Sequence, residues 1–118
     1  VTVGGESIFL GTVVATFQST SLVQTVYDEG WQVPVRVGEE GIDALLVGGR
    51  RPRLTLIVND RMITEGQVVY TAGSGAPYAL TIGAVRNIRK QKGAAFQEAE
   101  LEPPYSAGDI REVFILIE

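Results

Sequence analysis

VVYTAGSGAPYALTIGAV, residues 68–85, is the stretch on which the fold is decided. It reads as strand, glycine-rich turn, strand. Val68, Val69, Tyr70 and Thr71 are strand formers, Gly73, Gly75 and Pro77 interrupt them, and Leu80–Val85 resumes the strand chemistry. A shorter relative, VTVGGESIFLGTVV, opens the chain at residues 1–14. Working outward in both directions from the central hairpin, further short runs rich in Val, Ile, Leu and Thr recur between turns. No window of helical length carries an i, i+3, i+4, i+7 apolar stripe. The fold class is therefore all-β with little or no helix.

The totals set the limits. The chain has 118 residues, 45% hydrophobic and 20% charged, the balance of a packed globular chain rather than a disordered one. A net charge of −4 makes nucleic acid a poor partner. There is no cysteine and no histidine. Their absence removes disulfides, thiol chemistry, Ser–His–Asp and Cys–His catalysis and the usual zinc sites. The longest apolar run, VFILI at 113–117, is far short of the about 20 residues that cross a bilayer as a helix.

Taken in order, strands are expected at 1–3, 8–17, 22–27 and 32–37, then at 42–47 and 53–58, with the first arm of the central hairpin starting at 68. The second arm of the central hairpin runs to 88, followed by strands at 94–102 and 113–117. A helical turn is expected at 109–112. Val33, Val35 and Val37 alternate with Gln32, Pro34 and Arg36, and Pro34 points to an edge strand or a bulge. Gly48-Gly49-Arg50-Arg51-Pro52 combines glycine, charge and proline near the middle of the chain, so the division is placed there. Residues 1–52 form one small β-barrel module and 53–118 a second.

Gly11 and Gly83 lie 72 residues apart, each inside a strand, followed by Thr-Val-Val and Ala-Val-Arg. Glycine inside a strand marks a bulge or a sharp barrel bend. Both are read as structural pivots of related modules. The second copy is preceded by a strand and loop, residues 54–66, and the first has no counterpart, so module one is expected to lack its leading strand.

Candidate chemistry is sparse. Glu98, Glu100 and Glu102 share a strand face, with about 6.5–7 Å between successive members, a spacing open to glycosidase or hard-cation chemistry. The plainer reading is a solvated face with Ala99 and Leu101 turned inward. Gly73-Ser74-Gly75 precedes a strand rather than a helix with a lysine, so it is a turn and not a phosphate cradle. No catalytic, metal or cofactor residue is assigned. Two basic clusters, Arg50, Arg51 and Arg53 and then Arg86, Arg89, Lys90 and Lys92, either face an anionic partner or solubilise turns. Trp31 is either a cap on a barrel mouth or an exposed anchor for a partner. Pro77 and Tyr78, at the tip of the central hairpin, are the other candidate interaction residues.

Seven stretches together resemble MreC, the bacterial rod-shape-determining family: LGTVVAT (10–16), YDEGWQVPVRV (27–37), GIDALLVGG (41–49), ITEGQVVYTAGSG (63–75), LTIGAV (80–85), FQEAELEP (96–103) and IREVFILI (110–117). They cover most of the chain in the family's order. The tip Ala76-Pro77-Tyr78-Ala79 departs from the family's Gly- and Pro-rich pattern. The family's leading strand and loop, its membrane anchor and its coiled coil are not matched. The resemblance implies two small β-barrels on the outer, periplasmic face of the cytoplasmic membrane, in a non-enzymatic scaffold of the elongation machinery that needs no cofactor. It implies self-association, activation of penicillin-binding transpeptidases by binding, and partnership with MreD and the MreB cytoskeleton. Two other readings are weighed against it. One is a β-barrel adaptor of the membrane-fusion type used by exporters. The other is a carbohydrate-active enzyme using Glu98 and Glu100.

Overall fold

The computed structural model describes residues 1–3, 8–73, 80–105, 110 and 113. Ser74, Pro77 and Tyr78 lie outside them, as do the expected helical turn at 109–112 and last strand at 113–117, apart from Ile110 and Val113.

Among the described residues ten strands follow in chain order: β1 Thr2–Val3, β2 Ile8–Phe9, β3 Gly11–Thr16, β4 Ser21–Thr25, β5 Gln32–Val37, β6 Ile42–Val47, β7 Arg53–Val58, β8 Val68–Thr71, β9 Thr81–Arg89 and β10 Phe96–Glu102. Among the described residues there is no helix. Six strands, in the order β9-β10-β7-β6-β5-β8, pair antiparallel, and β8 pairs back onto β9 to close a barrel. β2 lies parallel to β9 through Ile8 and Thr81 and carries β1 with it. β3 and β4 form a separate hairpin sheet. The all-β barrel architecture is as the sequence predicts.

The barrel is filled by the inward half of each alternating strand. Val33, Val35 and Val37 of β5, Ile42, Ala44 and Leu46 of β6, Leu54 and Ile57 of β7, and Ile82 and Val85 of β9 are buried in one core with Ala99 and Leu101 of β10. Each fully buried aliphatic side chain stabilises the fold by about 1.5–3 kcal/mol. A small barrel packed in this way has no lumen.

Pro34 sits in an interior strand without a bulge, where an edge or a bulge was expected: β5 pairs with β6 residue for residue from Gln32 to Val37. The reason is directional. In an antiparallel ladder a residue's N–H and C=O point to the same side. The Pro34 carbonyl accepts from Ala72 N on the β8 side, and the β5–β8 register ends at Val35. The missing N–H therefore faces past the end of β8 and removes nothing from the β6 ladder.

The division at 52/53 falls inside the barrel. Pro52 belongs to the β6–β7 hairpin, where Leu45 faces Thr55, Leu46 faces Leu54 and Val47 faces Arg53. Glycine, charge and proline mark a hairpin reversal as readily as a linker. A second, smaller core forms elsewhere, from Val1 and Leu10 with Ile8, Val13, Val23, Tyr105 and Ile110. The N-terminal hairpin thus draws packing partners from beyond β10. The expected single strand over 8–17 is broken at Leu10, which is buried in this small core. Leu10 N and Gly11 N both donate to the Val1 carbonyl, at 2.8 and 3.3 Å.

Candidate functional site

The two in-strand glycines have matching surroundings. A Cβ on Gly11 would collide with the carbonyl oxygen of Gln24 in β4, and one on Gly83 would lie 2.5 Å from the carbonyl oxygen of Glu102 in β10. In each hairpin the returning strand crosses where a side chain would stand. Next to Gly83 the β8–β9 register steps over Ile82, between Val69↔Gly83 and Tyr70↔Thr81.

Trp31 is 7% exposed, so its ring is not available as a surface anchor. It stacks on Phe9 of β2, with ring centroids 6.0 Å apart and planes inclined by 25°. The turn before it is built by Asp28, whose Oδ2 accepts from Thr25 N at 2.7 Å, and by Gly30 at φ 83°. That turn directs the indole inward, and the large apolar ring gains more from burial than a solvent position offers.

Glu98, Glu100 and Glu102 point outward from β10, between buried Gln97, Ala99 and Leu101. Their partners are structural. Asn87 Nδ2 donates to Glu100 Oε2 at 2.8 Å, and Arg86 Nη1 lies 3.6 Å from Glu102 Oε1. Glu98 stands opposite Arg89 in the ladder. The exposed Arg86–Glu102 pair contributes at most about 1 kcal/mol. No cluster of acidic residues among those described could hold a metal ion. Gln97 is the polar residue turned inward, and its amide donates to the carbonyls of Val58 and Arg61 at 3.1 and 2.6 Å. Tyr105 is half-buried edge-on to Tyr27, and its hydroxyl finds no partner among the described residues. Burial, with a smaller contribution from Tyr27, raises the Tyr105 pKa well above its usual value.

The two bulges beside β10 were missed in the sequence. Among the described residues, Leu56 (φ 57°) and Asn87 (φ 50°) are the non-glycine residues with positive φ. They flank β10 on its two neighbours, at the level where the register shifts near Glu98. In β9 the bulge could have been found from two polar residues, Arg86 and Asn87, between the inward positions Val85 and Ile88. In β7 the apolar Leu56 hides it. Of the two basic clusters, Arg50 and Arg51 follow β6 and Lys90 and Lys92 follow β9 in turns, whereas Arg53 opens β7 and Arg86 and Arg89 lie in β9.

With its interior filled, the molecule is a β-barrel module whose contacts with other molecules must be made on its outside. The family model "Rod shape-determining protein MreC, barrel core" matches residues 1–117, and the chain belongs to the MreC family. Solved structures share the fold. MreC from Pseudomonas aeruginosa is 24% identical with a TM-score of 0.71, over 80% of this chain and 66% of that one. MreC from Listeria monocytogenes is 24% identical with a TM-score of 0.72, over 82% of this chain and 50% of that one. The complex between penicillin-binding protein PBP2 and MreC from Helicobacter pylori contains a chain 18% identical with a TM-score of 0.70, over 87% of this chain and 66% of that one. The chain thus spans about half to two thirds of the length of these structures. No curated protein matches it in sequence.

Proposed function

We propose that this chain is the extracytoplasmic barrel region of a rod-shape scaffold that binds a penicillin-binding transpeptidase and associates with itself. The observation that carries the reading is the family match over residues 1–117, on a closed barrel with a filled interior. The Helicobacter pylori relative, which shares the fold, was solved in complex with PBP2. The scaffold acts by binding rather than by catalysis, and the transpeptidase is the molecule whose activity it raises. MreD and the MreB cytoskeleton are reached through a membrane anchor in the full-length protein. Gly11 and Gly83 are the pivots that let the two hairpins fold tightly, and the tip at Pro77 and Tyr78 contributes a partner contact.

The test is direct titration of the chain with the extracytoplasmic domain of the cognate transpeptidase, read by calorimetry, with sedimentation of the chain alone. Saturable binding and concentration-dependent association are expected. A chain that stays monomeric and binds no cell-wall synthase would sink the reading.

A further inference from the structure

The barrel carries a strand site that its own closure does not use. β8 pairs back onto β9, so the six strands close without β1–β4. β10 leaves β9 after Glu102↔Ala84, where Pro103 and Pro104 follow and have no N–H to offer a ladder. β2 takes the strip of β9 that β10 gives up: Thr81 pairs with Tyr70 of β8 and with Ile8 of β2. Phe9, the next residue, sets its ring in the barrel core against Trp31. Among the described residues it is the only side chain from β1–β4 in that core. Val1, Ile8, Leu10, Val13 and Val23 pack in the small core instead.

The N-terminal hairpin is therefore a body with its own core, seated on the barrel by a two-residue strand and one ring. Tyr105 adds an edge-on contact to Tyr27, with centroids 6.5 Å apart. The chain passes from this body to the barrel through the Thr25–Asp28 turn. Asp28 Oδ2 accepts there from Thr25 N at 2.7 Å and from Thr25 Oγ1 at 3.2 Å, and Asp28 N donates to Thr25 O at 3.0 Å. The two bonds to the carboxylate are exposed, so water replaces them when the turn straightens.

We propose that this hairpin is exchanged between two copies of the chain: the Ile8–Phe9 strand of one copy occupies the Thr81 strip and the Trp31 seat of the other, and the other returns its own. Resting on the self-association proposed above, the exchange supplies the interface for it. The seat selects its occupant by backbone pairing and by the shape of one ring. Both are the same whichever copy provides them, so exchange remakes each contact that it breaks. Its costs are the straightened turn and the lost freedom of a second molecule, so exchange grows with concentration.

The chain has no cysteine, which makes the test clean. Residues paired across neighbouring strands stand about 4.8 Å apart, within the roughly 4.4–6.8 Å between Cα atoms that a disulfide spans. Ile8→Cys and Thr81→Cys chains, mixed at high concentration and oxidised, are expected to give a covalent heterodimer. Ile8→Cys mixed with Glu98→Cys, placed at the far end of the β9–β10 ladder, is the control for random coupling. A single chain with both Ile8→Cys and Thr81→Cys, oxidised at high dilution, locks the strand on its own barrel. Sedimentation of the locked chain is expected to show association lost, and reduction should restore it. A wild-type chain that associates while the heterodimer stays at the control level overturns the exchange and leaves the proposed function standing. So does a locked chain that associates like the wild type. A wild-type chain that stays monomeric at every concentration overturns the exchange and the proposed self-association together.

Discussion

Replacing Gly83 by alanine tests the geometry of the barrel at one atom. The added Cβ would lie 2.5 Å from Glu102 O, 3.0 Å from Glu102 C and 3.1 Å from Leu101 Cδ1. The leucine methyl can turn aside, but the carbonyl belongs to a strand paired with β9 at Ala84. To reach ordinary contact the two strands must part by roughly 0.5–1 Å at that level. Forced backbone shifts of this kind cost about 1–3 kcal/mol. Gly83 does not hold a positive φ, so no conformational penalty is added. Alanine also restricts the unfolded chain, which offsets about 0.4–1 kcal/mol. The net expectation is a loss of about 1–2 kcal/mol, or roughly 4–10 °C in melting temperature for a chain of this size. Gly49→Ala is the matched control. Its nearest neighbour, Glu29 Cγ, is 4.0 Å from the new Cβ, so only the unfolded-state term acts and a gain of about 0.4–1 kcal/mol follows. Urea unfolding followed by the fluorescence of Trp31 measures both. The reasoning fails if Gly83→Ala is as stable as the wild type, or if the two substitutions shift stability in the same direction.

Two further outcomes follow from the buried aromatics. Trp31, stacked on Phe9, should emit at short wavelength and resist acrylamide in the native state, and Trp31→Ala should cost about 3–5 kcal/mol. Native quenching equal to that of the unfolded chain would place the ring at the surface instead. For Tyr105, burial raises the folded pKa, so the neutral form is the one the fold favours. Its contribution is fully present below the unfolded value near 10 and is lost as pH rises towards the folded value. Tyr105→Phe should therefore leave stability at neutral pH unchanged or higher, since the hydroxyl has no partner among the described residues, and should reduce the alkaline loss. An unchanged alkaline profile would show that Tyr105 is not the group responsible.

How much of this was legible depends on the range of the cause. β5 alternates strictly, and its inward residues Val33, Val35 and Val37 are the expected ones, because a pleat imposes its period locally. β7 also alternates in sequence, yet Leu54 and Ile57 face inward and Leu56 does not, because a bulge resets the phase and no polar residue marks it. The break in β9 carried such a mark in Arg86-Asn87. Trp31 could not be placed from the sequence because its burial depends on Phe9, 22 positions away and in a different strand. The division at 52/53 misled for a related reason. A turn rich in glycine and proline reports a reversal of the chain, but not whether the strands on its two sides pair with each other, as β6 and β7 do. The small core of Val1 and Leu10 with Tyr105 and Ile110 joins residues about a hundred positions apart, beyond the reach of any local pattern.

That small core also fixes how the molecule carries load. Val1, Ile8, Leu10 and Val13 meet Tyr105 and Ile110 there, and the six barrel strands lie on the chain between them. Tension applied to the two flanking segments acts on the small core and, through Phe9 in the barrel core and the Ile8–Thr81 pairing, on the barrel as well, so core and barrel are loaded together.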